Sequence, residues 1–449
     1  MGSSQISTVL EQTHVSPPTA TVGERSLPLT YFDFFWLTQP PIHYLFFYEL
    51  SVTQTQFTET VIPNLKHSLS ITLQHFFPFA GNLIVYPNKK PEIRYVEGDS
   101  VAATFAECNL DFHELTGNHP RDCEMFYHLI PQLGEADKTS DFTKIPVFSL
   151  QVTLFPNSGI SVGMTNHHCL GDASTRFCFL KAWTSIARSS SDESFLANGT
   201  LPIYDRVATN PKLEESYLKF AKVETFKEEY QPPKLCGPTD KVRATFILPR
   251  TVLNKLKNLV STQVPTLAYV SSFTVACAYI WSCLAKTRND GVQMFGFTID
   301  CRGRMNPTVP AAYFGNCVGW CMAMEQATQL MGKEGFVTAA KSIGENLHET
   351  LTDKNGIMKD IASFNDFFSN GIPSTMIGVA GTPKLKFYDM DFGWGSPKKI
   401  ETISIDYSDS ISMNACKEKS EDLEIGVSLS TTQMQDFVRI FEDGLEKYI

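Results

Sequence analysis

Between Gly159 and Trp183 the chain changes its period. In Gly159-Ile160-Ser161-Val162-Gly163-Met164-Thr165-Asn166 the larger apolar residues fall at every second position, the repeat of a strand with one face in a core. From Ala173 the repeat turns helical, with Phe179, Leu180 and Trp183 on one side. The residues between, His167-His168-Cys169-Leu170-Gly171-Asp172, form a strand-to-helix turn, and a chain built on such a unit belongs to the mixed α/β class.

That turn also carries the residues best suited to chemistry. Successive strand side chains point to opposite faces, so His167 and His168 do not reach one ligand atom together, which argues against a shared metal and for one working histidine. The spacing to Asp172 favours His168. A neutral imidazole is the group best matched to taking a proton from an alcohol near neutral pH. The same residues fit a structural role equally well, His168 as a hydrogen-bonded core residue and Asp172 as the N-cap of the following helix.

The length, 449 residues, is enough for about two to three domains with real cores. A net charge of −10 without a basic stripe excludes nucleic acid as an expected partner. Eleven cysteines without a CxxC pair read as reduced thiols of a cytoplasmic protein rather than a disulfide framework or zinc site, and no metal is expected. No signal segment opens the chain and no apolar run is long enough to span a bilayer, so no membrane partner is expected.

Phe57, Val61, Leu65, Leu69 and Leu73 lie four apart, an amphipathic helix in which Pro63 falls near the start or makes a kink. Strands are expected near Gly81 to Tyr86 and Pro146 to Leu154. A polar stretch from Ser189 to about Pro202 ends the first half, giving an N-terminal domain over 1–190, a linker over 191–215 and a C-terminal domain over 216–449. In the second half Thr251 to Ser261, Ser271 to Arg288 and Lys333 to Leu351 read as helices and Met294 to Ile299 as a buried strand. Ile403 to Tyr407 and Ile411 to Met413 alternate around an Asp-Ser turn, and Leu423 to Leu429 alternates again. The chain closes on an amphipathic helix with Phe437, Ile440, Phe441 and Leu445.

Two matches are decoys. Gly159-Ile160-Ser161-Val162-Gly163 fits the G-x-S-x-G nucleophile elbow, but strand alternation continues past Ser161 where an elbow needs a tight turn and a helix. Asp391-Phe392-Gly393 fits the kinase DFG, without a G-x-G-x-x-G loop or an H-R-D triplet.

His168-x-x-x-Asp172 together with Asp391-Phe392-Gly393-Trp394-Gly395 resembles the signature pair of the plant BAHD acyl-CoA-dependent acyltransferases. Tyr313-Phe314-Gly315-Asn316-Cys317 resembles the variant of the branch that acylates anthocyanins and other flavonoid glucosides, and Asp300-Cys301-Arg302-Gly303-Arg304 the family's D-x-R-x-R segment. Leu29 to Leu37, with the plainer reading of an aromatic-rich core segment, resembles the opening of the family's first domain, so the similarity covers essentially the whole chain. Phe57 to Val61, Asn118 to Arg121 and Gly381 to Leu385 are most similar to the group that malonylates anthocyanidin 3-O-glucosides in the daisy family.

The resemblance implies two similar α/β domains of the chloramphenicol acetyltransferase-like type, with a channel between them that donor and acceptor enter from opposite faces. It implies an acyltransferase moving a malonyl group from malonyl-CoA to a glucose hydroxyl of an anthocyanin or flavonoid glucoside, with His168 as general base and no covalent acyl-enzyme. No cofactor is bound; malonyl-CoA is a co-substrate, and the protein is expected to be a cytoplasmic monomer. By the same resemblance Asp172 pairs with an arginine, Arg302 ahead of Arg304, and holds the turn that aims His168. Asp391 anchors the loop bordering the channel, and Trp394, through its indole N–H, is a candidate donor to the developing oxyanion or simply a packed side chain. Arg176 could grip the malonyl carboxylate, or spend its charge on Asp172 four residues earlier. Lys255, Lys257 and Lys384 are candidates for the phosphates of CoA, with Ser271 and Ser272 opening a helix at the donor face. The alternatives are an acetyl or hydroxycinnamoyl donor on the same fold, and a CoA or flavonoid binding protein without turnover.

Overall fold

An eight-residue strand whose every residue is buried needs a neighbour on both edges and a layer on both faces, and Gly159–Asn166 has all four. In the computed structural model, which describes residues 6–87, 89–207, 210–221, 240–288, 291–353, 357–358 and 375–446, it lies inside a six-stranded sheet. The order is Ser7–Val15, Val101–Cys108, Phe148–Phe155, Gly159–Asn166, Ile42–Glu49, Lys399–Thr402. Ile160, Val162 and Met164 face the main core. The other face, expected in solvent, carries small residues because a second layer lies close against it. Gly163 has no room for a Cβ beneath the Leu129 carbonyl, and Leu115, Phe126 and Leu129 pack there with Leu45 and Phe47.

A seven-stranded sheet runs Val318–Gln326, Val292–Asp300, Thr375–Ala380, Ser410–Ala415, Leu423–Ser430, Lys241–Leu248, Arg121–Asp122. A third, five-stranded sheet contains Asn82–Val85 and Thr143–Pro146. The helices expected from sequence form within a few residues of their expected ends: Arg250–Gln263, Ser272–Thr287, Gly335–Thr352 and Thr431–Glu446. Pro63 sits at the start of the helix Ile62–His75, and the turn before it, Phe57–Val61, widens to a π-helix. A proline ring cannot sit against the carbonyl four residues back, and a wider turn relieves that clash.

The two halves exchange strands. Arg121–Asp122 joins the edge of the seven-stranded sheet beside Lys241–Leu248, and Lys399–Thr402 joins the six-stranded sheet beside Ile42–Glu49. Buried charges fasten both crossings: Arg121 Nη1 meets Glu401 at 2.8 Å, and Arg243 meets Glu401 and Asp406 at 3.1 Å each.

One expectation needs correction. Ile403–Asp406 is a 3-10 turn, not a strand: Arg243 takes the Thr402 carbonyl at 2.8 Å and Lys241 that of Asp406 at 2.9 Å, which ends the ladder as the chain leaves one sheet for the other. Of the 191–215 stretch, expected to be a linker, residues 191–207 pack against the rest of the fold. They contain the helix Glu193–Asn198, Ile203 bridges Tyr313, the Tyr204 hydroxyl donates to the His75 carbonyl at 2.7 Å, and Arg206 donates to the Phe314 carbonyl at 2.6 Å.

Candidate active site

The Gly159–Asn166 strand ends where the His167 N–H donates to the Val147 carbonyl at 2.8 Å, and a 3-10 turn, His168–Leu170, follows. Gly171 has φ +155°, and a Cβ there would meet the Thr175 Cβ at 2.7 Å, so the turn accepts no side chain at this point. Asp172 then caps the helix Ala173–Ser189, accepting the Thr175 N–H at 3.1 Å. The two imidazoles diverge. His167 is buried, its Nδ1 accepts from the Cys169 N–H at 3.3 Å, and burial lowers it to about 4. His168 is half-buried.

Asp172 does more than cap. Its Oδ2 accepts Arg302 Nη1 at 2.7 Å and the Cys317 N–H at 3.0 Å, and its Oδ1 accepts Arg302 Nη2 at 3.2 Å. Arg302 also donates to the carbonyls of Tyr313 and Gly315, and Thr175 exchanges hydrogen bonds with Gly315. The turn of the first half is thereby bolted to the loop between Val292–Asp300 and Val318–Gln326. Arg302, not Arg304, takes the bridging place, since Arg304 turns to the Asp300 carbonyl.

Asn316 adds a second bolt. Its Nδ2 donates to the His168 carbonyl and to Asp33 Oδ1, each at 3.0 Å. Asp33 Oδ2 in turn accepts the Thr30 N–H at 2.9 Å and opens the short helix Tyr31–Phe34. The next turn, Phe35–Leu37, carries Trp36, whose ring stacks on the His168 imidazole with centroids 3.6 Å apart and planes 11° apart. Trp320 stacks beyond Trp36 at 5.1 Å. The sequence of this segment fits both a family-opening segment and plain core packing, and nothing local says which of its rings meets the histidine.

His168 Nδ1 is buried, and among the described residues none meets it in hydrogen-bond geometry. Burial, and after it the Arg176 charge, hold the imidazole well below its ordinary value, against a weaker pull from its own carbonyl and the Asn316 side chain. The ring is therefore neutral at physiological pH.

Arg176 lies on the first turn of the helix, buried, with Nη1 donating to the Gly171 carbonyl at 2.9 Å and the guanidinium over the Tyr44 ring at 5.3 Å. It makes no salt bridge with Asp172, whose oxygens are taken by Arg302, and among the described residues no carboxylate pairs with it. Its Nε is buried and unpartnered.

The other expected site residues are not brought to this cluster. Asp391 Oδ1 accepts the Gly393 and Gly395 N–H groups at 2.7 and 2.8 Å, folding its own loop. Trp394 packs edge-on against Tyr48 at 5.4 Å. Tyr48 pairs with Ile160, at the far end of the strand from the turn, so at about 3.3 Å per residue roughly 20 Å of strand separates Trp394 from His168. Trp394 as an oxyanion donor does not fit this placement, and Asp391 lies in the same loop. Lys255 is exposed and Lys257 half-buried on Arg250–Gln263, which packs on the helix Ser272–Thr287. Ser271 caps that helix, its hydroxyl accepting the Thr274 N–H at 3.1 Å, and Ser272 is its half-buried first residue. Lys384 is exposed in the loop after Thr375–Ala380.

Comparison with known proteins follows the same lines. The Transferase family matches residues 7–444. The chain is 53% identical, over 98% of both lengths, to the malonyl-coenzyme A:anthocyanin 3-O-glucoside-6''-O-malonyltransferase of Dahlia pinnata. It is 41% identical to phenolic glucoside malonyltransferase 1 of Nicotiana tabacum, over 91% of this chain and 92% of that one. Among solved structures, vinorine synthase superposes with a TM-score of 0.69 at 18% identity, covering 96% of each chain. F. sporotrichioides TRI101 complexed with coenzyme A and T-2 superposes with a TM-score of 0.63 at 15% identity, over 91% of this chain and 96% of that one. Both share the fold.

Proposed function

The chain belongs to the Transferase family, the BAHD acyl-CoA-dependent acyltransferases, and from that premise we propose that it moves a malonyl group from malonyl-CoA to a glucose hydroxyl of an anthocyanin or flavonoid glucoside. The single observation that carries the donor assignment is Arg176. A buried guanidinium without a carboxylate partner is costly to keep and waits for an anion. Malonyl differs from acetyl by one terminal carboxylate, which a guanidinium grips with two charge-assisted hydrogen bonds. The Dahlia pinnata relative, by its name, uses the same donor.

In this reading His168 Nε2 takes the proton of the sugar hydroxyl, the oxygen attacks the malonyl thioester carbonyl, and a tetrahedral intermediate forms. It collapses with loss of CoA thiolate, which the imidazolium reprotonates. The base contributes roughly 10² to 10⁴ in rate. A covalent acyl-enzyme has no support at the neighbouring thiol, since Cys169 is buried and burial pushes it well above its ordinary value. Asp172 and Arg302 act as positioning residues. The proposal extends to Lys255, Lys257, Lys384 and the Ser271–Ser272 helix start for the CoA phosphates, and to a cytoplasmic monomer. No helix of the described residues is long and apolar enough to cross a membrane.

The test is thiol release from malonyl-CoA with an anthocyanidin 3-O-glucoside, read with product mass, for wild type and His168→Ala. A malonylated product that the variant loses supports reaction and base together. No product from the wild type, with turnover of another acyl-CoA, moves the protein to a different donor.

A further inference from the structure

A general base becomes a cation when it works, and in the Ser-His-Asp arrangement a carboxylate on the other ring nitrogen both orients the ring and stabilises that cation. His168 has no such partner. Among the described residues none meets its Nδ1 in hydrogen-bond geometry. The nearest acids are committed elsewhere: Asp172 to Arg302 and the Thr175 and Cys317 N–H groups, Asp33 to Thr30 and Asn316. Of the groups that act on the ring, Arg176 and His167 disfavour its protonated form, and the neutral Asn316 side chain and the residue's own carbonyl favour it more weakly than burial opposes it. What lies on the ring instead is the Trp36 indole, face to face at 3.6 Å and 11°.

We infer that Trp36 is a positioning residue for the transfer, and that its π-face takes the place of the missing carboxylate: it fixes the imidazole plane and attracts the imidazolium while the sugar proton resides on it. An indole face is the strongest of the aromatic partners for a cation within about 6 Å. The stack is held from behind. Asp33, one turn before Trp36, accepts both the Asn316 N–H at 3.2 Å and its Nδ2 at 3.0 Å, and the same Nδ2 holds the His168 carbonyl. Trp320, stacked on Trp36 at 5.1 Å, and Phe35, edge-on to Trp36 at 5.1 Å, limit its tilt. The inference rests on His168 being the base.

The experiment compares Trp36→Leu, which keeps bulk without a π-face, and Trp36→Phe, which keeps a weaker one, with wild type and His168→Ala. Steady-state kinetics with malonyl-CoA and an anthocyanidin 3-O-glucoside are measured across pH. The expected result is a roughly 3- to 30-fold fall in kcat for Trp36→Leu, the size of a cation–π interaction, and a smaller one for Trp36→Phe. The KM for malonyl-CoA stays unchanged, and the acid limb of kcat/KM moves to lower pH because the imidazolium has lost support. An unchanged kcat with a raised acceptor KM would make Trp36 a substrate wall and overturn the inference. So would an acid limb moving up towards about 6.5, which would mean that the ring only excludes water. If Trp36→Leu fails to fold, Trp36→Phe carries the same comparison. Retained activity in His168→Ala would overturn the base itself, a separate outcome from either.

Discussion

The Arg302 guanidinium grips both carboxylate oxygens of Asp172, Nη1 to Oδ2 at 2.7 Å and Nη2 to Oδ1 at 3.2 Å, across 130 residues of sequence. Neither group is more than a tenth exposed. The pair joins the turn that aims His168 to the loop of the other half, so it should act on stability and catalysis together.

Asp172→Ala leaves the buried Arg302 with the half-exposed Asp300 carboxylate, at 3.2 Å, as its remaining counter-charge, removes a helix cap and frees the turn. Breaking a buried pair from one side costs about 3–5 kcal/mol. Denaturant melts should show that loss, and kcat should fall in the remaining folded protein. A variant as stable as wild type would contradict the bridging role.

The pH dependence of activity follows from the sign of the His168 shift. The imidazole is held below its ordinary 6.5, so it stays unprotonated, and kcat/KM should stay flat, as pH falls through 6.5. Replacing Arg176 by Leu removes one of the groups that depress it, and the acid limb should move up. A wild-type limb at or above 6.5 would contradict the burial argument.

Stability should fall in acid for a related reason. Burial lowers His167 to about 4 and His43 to about 3, whereas both titrate near 6.5 once unfolded. Below 6.5 the unfolded chain binds protons that the folded chain refuses, so stability is full above 6.5 and drains away as pH falls towards 4 and 3. Urea melts at pH 7 and pH 5 measure this, and His43→Gln should flatten the difference.

Glu401 fastens the strand exchange. Burial alone would raise its pKa, but Arg121 and Arg243 outweigh it and hold the carboxyl at about 2. Glu401→Gln leaves two buried guanidinium groups short of a charge and should cost about 3–5 kcal/mol, with little change in malonyl-CoA KM for the folded enzyme.

Asp391→Ala should behave as a scaffold change. Two backbone hydrogen bonds to Gly393 and Gly395 are lost, about 1 kcal/mol each. The melting temperature should drop while kcat at low temperature stays near wild type, since the loop lies far from His168.

Much of this architecture was legible in the chain and the rest was hidden for physical reasons. The change of period from Gly159 to Trp183 announces the strand, turn and helix, because each is fixed by local side-chain pattern. The strand exchange leaves no local mark: Lys399–Thr402 pairs with Ile42–Glu49, and such long-range pairing is decided by burial of the whole sheet. Ile403–Asp406 alternates like a strand yet forms a turn, because Arg243 and Lys241 capture the carbonyls there. Arg302 is marked by the resemblance of Asp300–Arg304 to a known segment and not by its spacing from Asp172. A tryptophan between glycines, such as Trp394, does not reveal its direction, whereas Trp36, in a plain aromatic run, stacks on His168.

Donor exchange at Arg176 tests the central claim most directly. Wild type and Arg176→Ala are compared with malonyl-CoA and acetyl-CoA on the same anthocyanidin 3-O-glucoside. Loss of a charge-assisted grip predicts a roughly 10- to 100-fold fall in kcat/KM for malonyl-CoA, with acetyl-CoA unchanged or improved. An equal fall for both donors, or none for malonyl-CoA, would contradict the assignment of Arg176 to the malonyl carboxylate.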